Sequence, residues 1–385
     1  MKKILVVTTS FPFPLYSGDK LRIYNIAKHL SKKNSVDLIY TGTKENFKKK
    51  IKFTKNTIFI KANKIKSFFS MLKFLFLIKP LQTGYFFSNE MNNKINTIYK
   101  DYDTIIFHLI RSGEFIPISY KGKKILEMTD LVSSRYLQIS KKLSFFNLLK
   151  YLYFLEYLLS KKYEKNIVNL FNYSVLVSKE DKKKFNIPKK TKKKIKIIFN
   201  GTELKAKKYK FNIKNNNIIF IGNINYLPNK IACLDFIKNT MPALKVSGLN
   251  VNFRIIGKVS KMLKYQLKKF NNVEVYSNVK NPEKFCKGAI CGLCNLNIAA
   301  GVQNKILEYM RIGIPTIASE KCFNSFDFKK NKEIMVYKNQ KELVKNIIKL
   351  KLNKAISNKL SYSGQKKIKK SYSWEEALKQ YDSII

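Results

Sequence analysis

Short apolar runs alternate with helix-like stretches along the first half of the chain. Six short runs rich in apolar residues predict buried strands, at residues 4–7, 36–40, 57–60, 103–108, 124–128 and 173–178. After the first run, apolar residues recur with helical spacing over residues 21–32. Unbroken apolar strands that alternate with helices are typical of a parallel sheet covered on both faces. The pattern therefore predicts a doubly wound α/β domain.

The same alternation begins again near residue 217. Further strands are predicted at residues 217–222, 251–257, 273–276, 288–298 and 315–319, and a helix at 304–313. The polar, lysine-rich segment 202–216 between the two sets is predicted to be a linker. We therefore expect an α/β chain of two doubly wound, Rossmann-like domains, at 1–201 and 217–371, with an interdomain cleft. In such sheets, ligands bind at the carboxyl ends of the strands.

Two lysine-rich stretches, 64–87 and 140–170, carry many large apolar residues at helical spacing. Each fits either a core-packed helix or a helix that lies on a bilayer surface. No segment reaches the roughly 18–20 continuous apolar residues of a membrane span. The apolar run near the N-terminus is also too short for a signal peptide. We therefore expect a cytoplasmic protein, with an anionic membrane surface as one candidate partner.

The charge balance is strongly basic. The 385 residues include 76 lysines and arginines against 25 aspartates and glutamates, for a formal net charge of +51. Such a field attracts polyanions. Only five of the basic residues are arginines, however, and Lys, Ile, Asn, Phe and Tyr, whose codons are all A/T-rich, are abundant. Because readers of phosphates and bases favour arginine, we interpret much of the charge as composition bias, not as specific nucleic-acid binding.

Four of the five cysteines have a spacing with a metal-binding precedent. Cys286, Cys291 and Cys294, with Cys322 downstream, match the ligand spacing of plant-type iron–sulfur proteins. Segment 291–298 also fits a buried strand, in which the thiols are core residues. The strand is the preferred interpretation, and the cluster is the alternative.

The stretch AAGVQNKILEYMRIGIPTIAS, residues 299–319, contains the most specific candidate chemistry. Gly301 opens a loop, and the helix that follows places Lys305 in its first turn and Glu308 one turn later. The start of a helix offers unpaired N–H groups and a positive dipole end, which suit a diphosphate. Glu308 presents two acceptor oxygens, which suit the vicinal hydroxyls of a ribose. A plain crossover helix with a surface glutamate is the alternative.

This stretch resembles the donor-nucleotide motif of retaining GT-B glycosyltransferases of family 4. It is closest to the G-x-Q-N-K-x-L-E version found in exosortase-associated and other polysaccharide-building sugar transferases. Other segments resemble the same branch in the same order: FPFPLYSGDKLRIYN, KILEMTDLVSSRY, VLVSKEDKKKF, IIFNG, FIGNINYLPNKIACLDFI and YSWEEALKQYDSII. The resemblance implies a GT-B fold with an acceptor-side N-terminal domain and a donor-binding C-terminal domain. It also implies that a terminal helix, 372–385, packs back on the first domain.

The activity that the resemblance implies is sugar transfer, with retention, from a nucleotide-sugar to a glycan or lipid-linked acceptor in surface polysaccharide or glycoconjugate synthesis. No metal ion or other cofactor is implied. The catalytic residues would be Asp130, beside the transferred sugar, with Lys305 and Glu308. The implied donor-binding residues are Gly18, Asn223, Asn229, Lys230, Gly301, Asn304, Lys305 and Glu308. Asp130 also fits a helix N-cap, and His108 fits either a core residue or a second substrate contact.

Two features depart from the family pattern. The first glutamate of its two-glutamate signature would fall at Ala300, and its basic pair falls at Asn223 and Asn229, followed by Lys230. Ala300 keeps open a GT-B-like protein that binds without turnover. A basic nucleic-acid-binding protein is the remaining alternative, although no recognition module is evident.

The loop after the first strand, TTSFPFPLYSGDK, is the other half of the predicted donor site. Pro12 and Pro14 predict an extended loop, because proline fixes its own backbone torsion. Gly18 would allow the backbone to approach a sugar-diphosphate. Ser17 or Asp19 is predicted to begin the helix.

Overall fold

The computed structural model describes residues 1–13, 15, 17–43, 51–204, 209–279 and 281–385. The chain forms two compact units, of which unit 1 comprises Met1–Phe199 with Leu378–Ile385, and unit 2 comprises Asn200–Ala377. Each unit has its own parallel sheet. The predicted α/β fold with two doubly wound sheets is therefore confirmed. The segment predicted as a linker falls inside unit 2, and its residues 205–208 lie outside the described residues.

The sheet of unit 1 has seven parallel strands. They are β1 (Lys3–Thr8), β2 (Ser35–Gly42), β3 (Thr57–Lys61), β4 (Thr104–His108), β5 (Lys123–Thr129), β6 (Tyr173–Leu176) and β7 (Ile195–Ile197). Their order across the sheet is β3-β2-β1-β4-β5-β6-β7. The order reverses between β1 and β4, so the ligand crevice expected of such a sheet lies at the carboxyl ends of these two strands.

The central strand β1 shows why the apolar run has no polar interruptions. Ile4, Leu5, Val6 and Val7 are all fully buried. Successive side chains of a strand point to opposite faces, so both faces of the sheet must be covered at this strand.

Eight helices are described among the strands of unit 1. They are α1 (Gly18–Leu30), α2 (Lys64–Phe76), α3 (Leu81–Phe86), α4 (Asn89–Ile98), α5 (Val132–Lys142), α6 (Leu148–Ile167), α7 (Lys179–Lys184) and α8 (Lys189–Lys193). The helical region predicted at 140–170 is therefore the end of α5 and the whole of α6. A new helix starts there because the Asn147 side chain accepts a hydrogen bond from the Leu149 N–H, as an N-cap does.

The sheet of unit 2 has six parallel strands. They are β8 (Asn217–Asn223), β9 (Asn252–Lys258), β10 (Val273–Ser277), β11 (Cys291–Cys294), β12 (Thr316–Ser319) and β13 (Met335–Tyr337). Their order is β10-β9-β8-β11-β12-β13, which reverses between β8 and β11. β11 is much shorter than the predicted strand 288–298, because it separates from β8 after two paired residues.

The described helices of unit 2 include the one that carries the candidate motif. They are α9 (Leu227–Asp235), α10 (Met241–Val246), α11 (Lys261–Lys268), α12 (Asn304–Ile312), α13 (Glu320–Phe323), α14 (Gln340–Leu352), α15 (Lys354–Ser371) and α16 (Trp374–Leu378). Helix α12 ends at Gly313, whose φ of 88° allows its N–H to reach the carbonyls of Tyr309 and Met310. In the parts of the chain that the structure describes, no helix is long and apolar enough to cross a membrane.

Residues Leu378–Ile385 belong to unit 1 although they follow unit 2 in the sequence. The Tyr381 hydroxyl donates a hydrogen bond to the Glu127 carboxylate in β5. Asp382 Oδ1 lies 2.9 Å from His29 Nε2 in α1. The sole tryptophan, Trp374, lies in unit 2. These contacts make the final segment part of the core and surface of unit 1.

Candidate functional site

The strands β8 and β11 separate at the switch point of unit 2, and helix α12 fills the opening. The Tyr309 hydroxyl accepts a hydrogen bond from the Ile221 N–H at 2.8 Å and donates one to the Leu293 carbonyl at 3.0 Å. Its ring lies against Gly292, where any side chain would overlap it. Tyr309 therefore replaces the missing strand-to-strand hydrogen bonds and fixes α12 at the carboxyl end of the sheet.

The Lys305 side chain lies in the same region of unit 2 and is only 8% exposed. Its ammonium donates to Asn229 Oδ1 at 2.8 Å and lies 3.6 Å from the centre of the Phe220 ring. Among the described residues it forms no ion pair with a carboxylate. Burial lowers the pKa of Lys305, while three neighbouring thiols act in the opposite direction. A buried cation without an acidic partner is unfavourable, so this position attracts an anion.

The start of α12 is open to a ligand. Gly301 has a φ of 64°, which favours glycine and turns the loop toward the helix. Gln303 is the N-cap residue, but its side chain donates to the Ala300 carbonyl and does not cap the helix. Asn304, the first helical residue, accepts a hydrogen bond from Asn200 Nδ2 at 2.7 Å. The first-turn N–H groups thus have no side-chain cap, which suits an anion.

Glu308 lies one turn further along α12 and pairs with Arg311. The Arg311 Nε donates to Glu308 Oε2 at 3.1 Å, and Nη1 donates to Glu283 Oε1 at 2.7 Å. The guanidinium therefore fixes the orientation of the Glu308 carboxylate. Each carboxylate oxygen can accept a second hydrogen bond, so the hydroxyl-binding role of Glu308 stays a prediction.

The other predicted residues of unit 2 lie at the end of β8. Asn229 Nδ2 donates to the Asn223 carbonyl at 2.8 Å, so Asn229 links the strand end to Lys305. Lys230 is half-buried in α9 beside them. The structure thus brings Asn223, Asn229 and Lys305 together.

The cysteines of unit 2 are buried free thiols. Across the described ranges, no group of three or more His, Cys, Asp or Glu side chains is arranged to hold a metal ion. Cys294 and Cys322 contact each other, whereas Cys286 lies near Glu308 and Glu283. The buried thiols favour the interpretation of the spacing as core positions on and around β11.

In unit 1, Gly18 is the first residue of α1 and Ser17 is its N-cap residue. Burial tends to raise the pKa of Asp19, but the Ser17 hydroxyl and the nearby charges of His108 and Arg111 outweigh it, so the pKa of Asp19 is lowered. Pro14, which was expected to stiffen this loop, lies outside the described residues. The role of Gly18 stays a prediction.

Asp130 follows β5 and forms an ion pair with Arg135, with 2.8 Å between Oδ2 and Nη1. It is not an N-cap, because α5 begins after Leu131 and the Ser133 N–H donates to Glu164 Oε1 at 3.0 Å. Thr129, directly before Asp130, has a φ of 65°, which is unusual for a β-branched residue. Backbone strain of this kind concentrates at functional sites.

His108 and Arg111 complete the polar group at the carboxyl end of β4. His108 is 1% exposed, and neither ring nitrogen makes a hydrogen bond of ordinary geometry. Burial lowers the pKa of His108 to about 3, although the Asp19 carboxylate favours its protonated form. Arg111 Nε donates to Thr9 Oγ1 at 2.7 Å. The sequence patterns above did not single out Arg111. The sequence feature that could have pointed to it is the rarity of arginine in a lysine-rich chain.

Comparison with known proteins gives a family match within unit 2. Residues 215–353 match the family model described as Glycosyl transferases group 1. No curated protein sequence matches the chain. The family match and the two-unit α/β architecture together support a GT-B glycosyltransferase.

Several solved structures share the whole fold. HepE of Anabaena, in complex with UDP and glucose, is 14% identical with a TM-score of 0.69, over 100% of this chain and 99% of that one. Sucrose-phosphate synthase of Thermosynechococcus elongatus is 13% identical with a TM-score of 0.75, over 100% and 98%. A variant of S. aureus TarM, in complex with fondaparinux, α-GlcNAc-glycerol and UDP, is 14% identical with a TM-score of 0.69, over 100% and 99%.

Proposed function

We propose that this protein is a retaining glycosyltransferase of GT-B family 4. It transfers a sugar from a nucleotide-sugar to a glycan or lipid-linked acceptor in surface polysaccharide or glycoconjugate synthesis. The observation that carries the proposal is Lys305, a buried cation without an acidic partner among the described residues, in the first turn of an uncapped helix. A donor diphosphate supplies the missing negative charge.

In the proposed donor site, each group has a separate task. The first-turn N–H groups of α12 and the Lys305 ammonium hold the diphosphate, and Asn223, Asn229 and Lys230 line the end of β8. Glu308, oriented by Arg311, accepts hydrogen bonds from the ribose hydroxyls. These charges stabilise the departing diphosphate. No metal ion or other cofactor is part of the proposal.

Transfer with retention needs mainly positioning of donor and acceptor. In this mechanism the bond from the sugar to the diphosphate breaks, and the bond to the acceptor oxygen forms on the same face. The leaving diphosphate accepts the proton of the acceptor hydroxyl. Asp130 is proposed to contact the transferred sugar, and Gly18 lets the backbone of unit 1 approach the donor.

Calorimetric titration with UDP, followed by an assay of UDP-sugar turnover, tests the donor site. Lys305→Met should weaken UDP binding by about tenfold or more, because it removes the only buried ammonium of the proposed site. Glu308→Gln should weaken UDP binding less and lower turnover. Lys345→Met removes an exposed lysine of unit 2 and serves as the charge-matched control. Equal losses of UDP affinity in Lys305→Met and Lys345→Met would contradict the proposed site.

A binding protein that has lost turnover is the second candidate, because Ala300 stands where the resemblance predicts a glutamate. This candidate predicts UDP binding that depends on Lys305, with no transfer from any nucleotide-sugar tested. A nucleic-acid-binding protein predicts salt-sensitive binding of duplex DNA or RNA that the Lys305→Met variant leaves unchanged.

We also propose that unit 1 binds the anionic inner face of the cytoplasmic membrane. Helix α2 buries only Phe74 and half-buries Met71, and its remaining large apolar residues are exposed to solvent. Phe69 is 64% exposed and Phe76 is 87% exposed, while Phe146 before α6 is 91% exposed. A core-packed α2 is therefore wrong. Apolar residues among lysines match a surface of anionic lipid headgroups.

Flotation with lipid vesicles tests this attachment. The chain should float with vesicles that contain anionic phosphatidylglycerol and should float less with neutral phosphatidylcholine. Phe69→Ser combined with Phe146→Ser should abolish flotation. Tyr265→Ser, which removes an exposed aromatic residue of unit 2, is the control. Flotation that depends on charge alone, and not on these phenylalanines, would contradict insertion of this face.

A further inference from the structure

Arginine is rare in this chain, and four of its five arginines have carboxylate partners. Arg22 pairs with Glu127, Arg135 with Asp130, Arg254 with Glu274 and Arg311 with Glu308 and Glu283. Arg111 forms no ion pair among the described residues. In a chain that uses lysine at most basic positions, arginine is expected where its planar fork is needed.

The Arg111 guanidinium is held in place while most of its donors stay unused. Its Nε donates to Thr9 Oγ1, and its central carbon lies 4.1 Å from the centre of the Phe86 ring. Neither terminal amino group donates to any described residue. A fixed fork with two unused amino groups suits bidentate binding of a phosphate.

His108 supplies a second, independent sign of a ligand. It is buried at the end of β4, beside Asp19 and Arg111, and apart from the Asp19 backbone its ring nitrogens have no hydrogen-bond partner among the described residues. Buried polar groups without partners are rare in folded proteins, and an ordered water or a ligand oxygen is the usual explanation.

An apolar pocket adjoins this group in unit 1. Its volume is about 330 Å³, and its lining is mostly apolar and aromatic, including Tyr85, Tyr136, Leu149 and Leu152, with Gln82 and Glu156 as its polar members. The ring of Tyr85 contacts that of Phe86, with 5.3 Å between ring centres. The Phe86 ring in turn packs against the Arg111 guanidinium. The anion-binding fork and the apolar pocket are therefore connected through α3.

We infer that unit 1 binds an amphiphilic phosphate, with the phosphate on Arg111 and the hydrocarbon chain in the pocket between α2, α3, α5 and α6. In the proposed function, this ligand is the acceptor, which makes a lipid phosphate its substrate class. That assignment rests on the proposed function, but the binding itself does not. Its chain reaches the pocket from the bilayer on which α2 and α6 lie.

Calorimetric titration of the full chain with three probes tests the inference. The probes are dodecyl phosphate below its micelle concentration, inorganic phosphate, and the neutral dodecyl maltoside. Dodecyl phosphate should bind at least about tenfold more tightly than either of the others, because only it fills both parts of the site. Comparable binding of dodecyl maltoside would overturn the inference.

Variants separate the contribution of the Arg111 guanidinium from that of the apolar pocket. Arg111→Gln should reduce dodecyl phosphate affinity to the level of dodecyl maltoside, and Arg111→Lys should retain only part of it. Leu149→Ser should weaken dodecyl phosphate and leave inorganic phosphate unchanged. Lys121→Gln removes one positive charge from an exposed position of unit 1 and should change affinity less than about twofold. Thermal unfolding of each variant checks that it is folded.

UDP titration of the same variants separates this inference from the donor site. Arg111→Gln should bind UDP as the unchanged protein does, and an equal loss of UDP would place Arg111 in the donor site and overturn the inference. If the unchanged protein binds dodecyl phosphate but none of UDP, GDP and ADP, the proposed function fails while the amphiphile site stands. Equal losses of dodecyl phosphate affinity in Lys121→Gln and Arg111→Gln would show that only the overall positive charge attracts the ligand, and would overturn the inference.

Discussion

Arg22 and Glu127 form a bidentate ion pair inside unit 1. Arg22 Nε lies 2.9 Å from Glu127 Oε1 and Nη2 lies 3.0 Å from Oε2, and both side chains are fully buried. Arg22 Nη1 also donates to the Phe199 carbonyl at 3.2 Å, and Tyr381 donates to the same carboxylate. One buried pair thus joins α1, β5 and the segment after unit 2.

Removing one partner of this pair should destabilise unit 1 strongly. Arg22→Met leaves a buried carboxylate uncompensated, so we expect a loss of about 3–5 kcal/mol in the free energy of unfolding, measured by urea titration. Arg254→Met breaks a partly exposed pair with Glu274 and should cost about 1 kcal/mol or less. Similar losses in the two variants would contradict the prediction.

The Tyr309 hydroxyl should matter more than its size suggests. Tyr309→Phe leaves the Ile221 N–H and the Leu293 carbonyl without their partner, so we expect a loss of about 2–3 kcal/mol. UDP affinity should fall as well, because α12 is no longer fixed at the opening of the sheet. Tyr265→Phe, at a residue that is 67% exposed, should change unfolding by less than about 0.5 kcal/mol.

Gly257 and Gly248 offer a matched pair of substitutions. Gly257 has a φ of 142°, and a Cβ there would overlap the carbonyl oxygen of Gly222 on the neighbouring strand. Gly248 has a φ of 81° with open space around it. Gly257→Ala should therefore lower the thermal midpoint of unit 2 severely, whereas Gly248→Ala should cost only about 1 kcal/mol. Equal losses of stability in the two variants would mean that the positive φ, and not the overlap with Gly222, determines both effects.

The pKa of His108 predicts how stability depends on pH. Burial holds the folded pKa at about 3, below the ordinary value of 6.5, so the unfolded chain takes up the proton first as the pH falls. Stability should therefore decrease by about 1 kcal/mol per pH unit between about pH 6 and pH 4. His108→Asn should remove this part of the slope, and His29→Asn should retain it. Urea titration over this pH range is the measurement, and an unchanged slope in His108→Asn would contradict the assignment.

Much of the fold was predictable because buried parallel strands leave a strong local pattern. The runs at β1, β8 and β9 were located within two residues, and Gly313 ended α12 as expected. The break between α5 and α6 was missed, because both sides continue the same helical spacing and only Asn147 marks the new start. The short strands β7 and β13 were missed because a run of only three residues does not distinguish a strand from a loop.

The candidate sites show where sequence reasoning stops. The motif around Lys305 was visible, but its partner Asn229 is 76 positions away and only the folded chain shows their contact. The Asp130 side chain could have capped α5, yet Glu164 from α6 contacts that helix start instead. The sequence does not show that His108 is buried or that the Arg111 guanidinium has unused donors. Both properties depend on the fold, so these two residues could be recognised as candidates only in the structure.

The contact between Tyr381 and Glu127 has a consequence for synthesis of the chain. The ribosome synthesises residues 1–199 before unit 2, whereas Tyr381 is added only after unit 2 has been made. Until then the Glu127 carboxylate lacks one of its hydrogen-bond donors, so the nascent unit 1 is incomplete. The Glu127 carboxylate therefore acquires its full set of hydrogen-bond donors only after unit 2 has been synthesised.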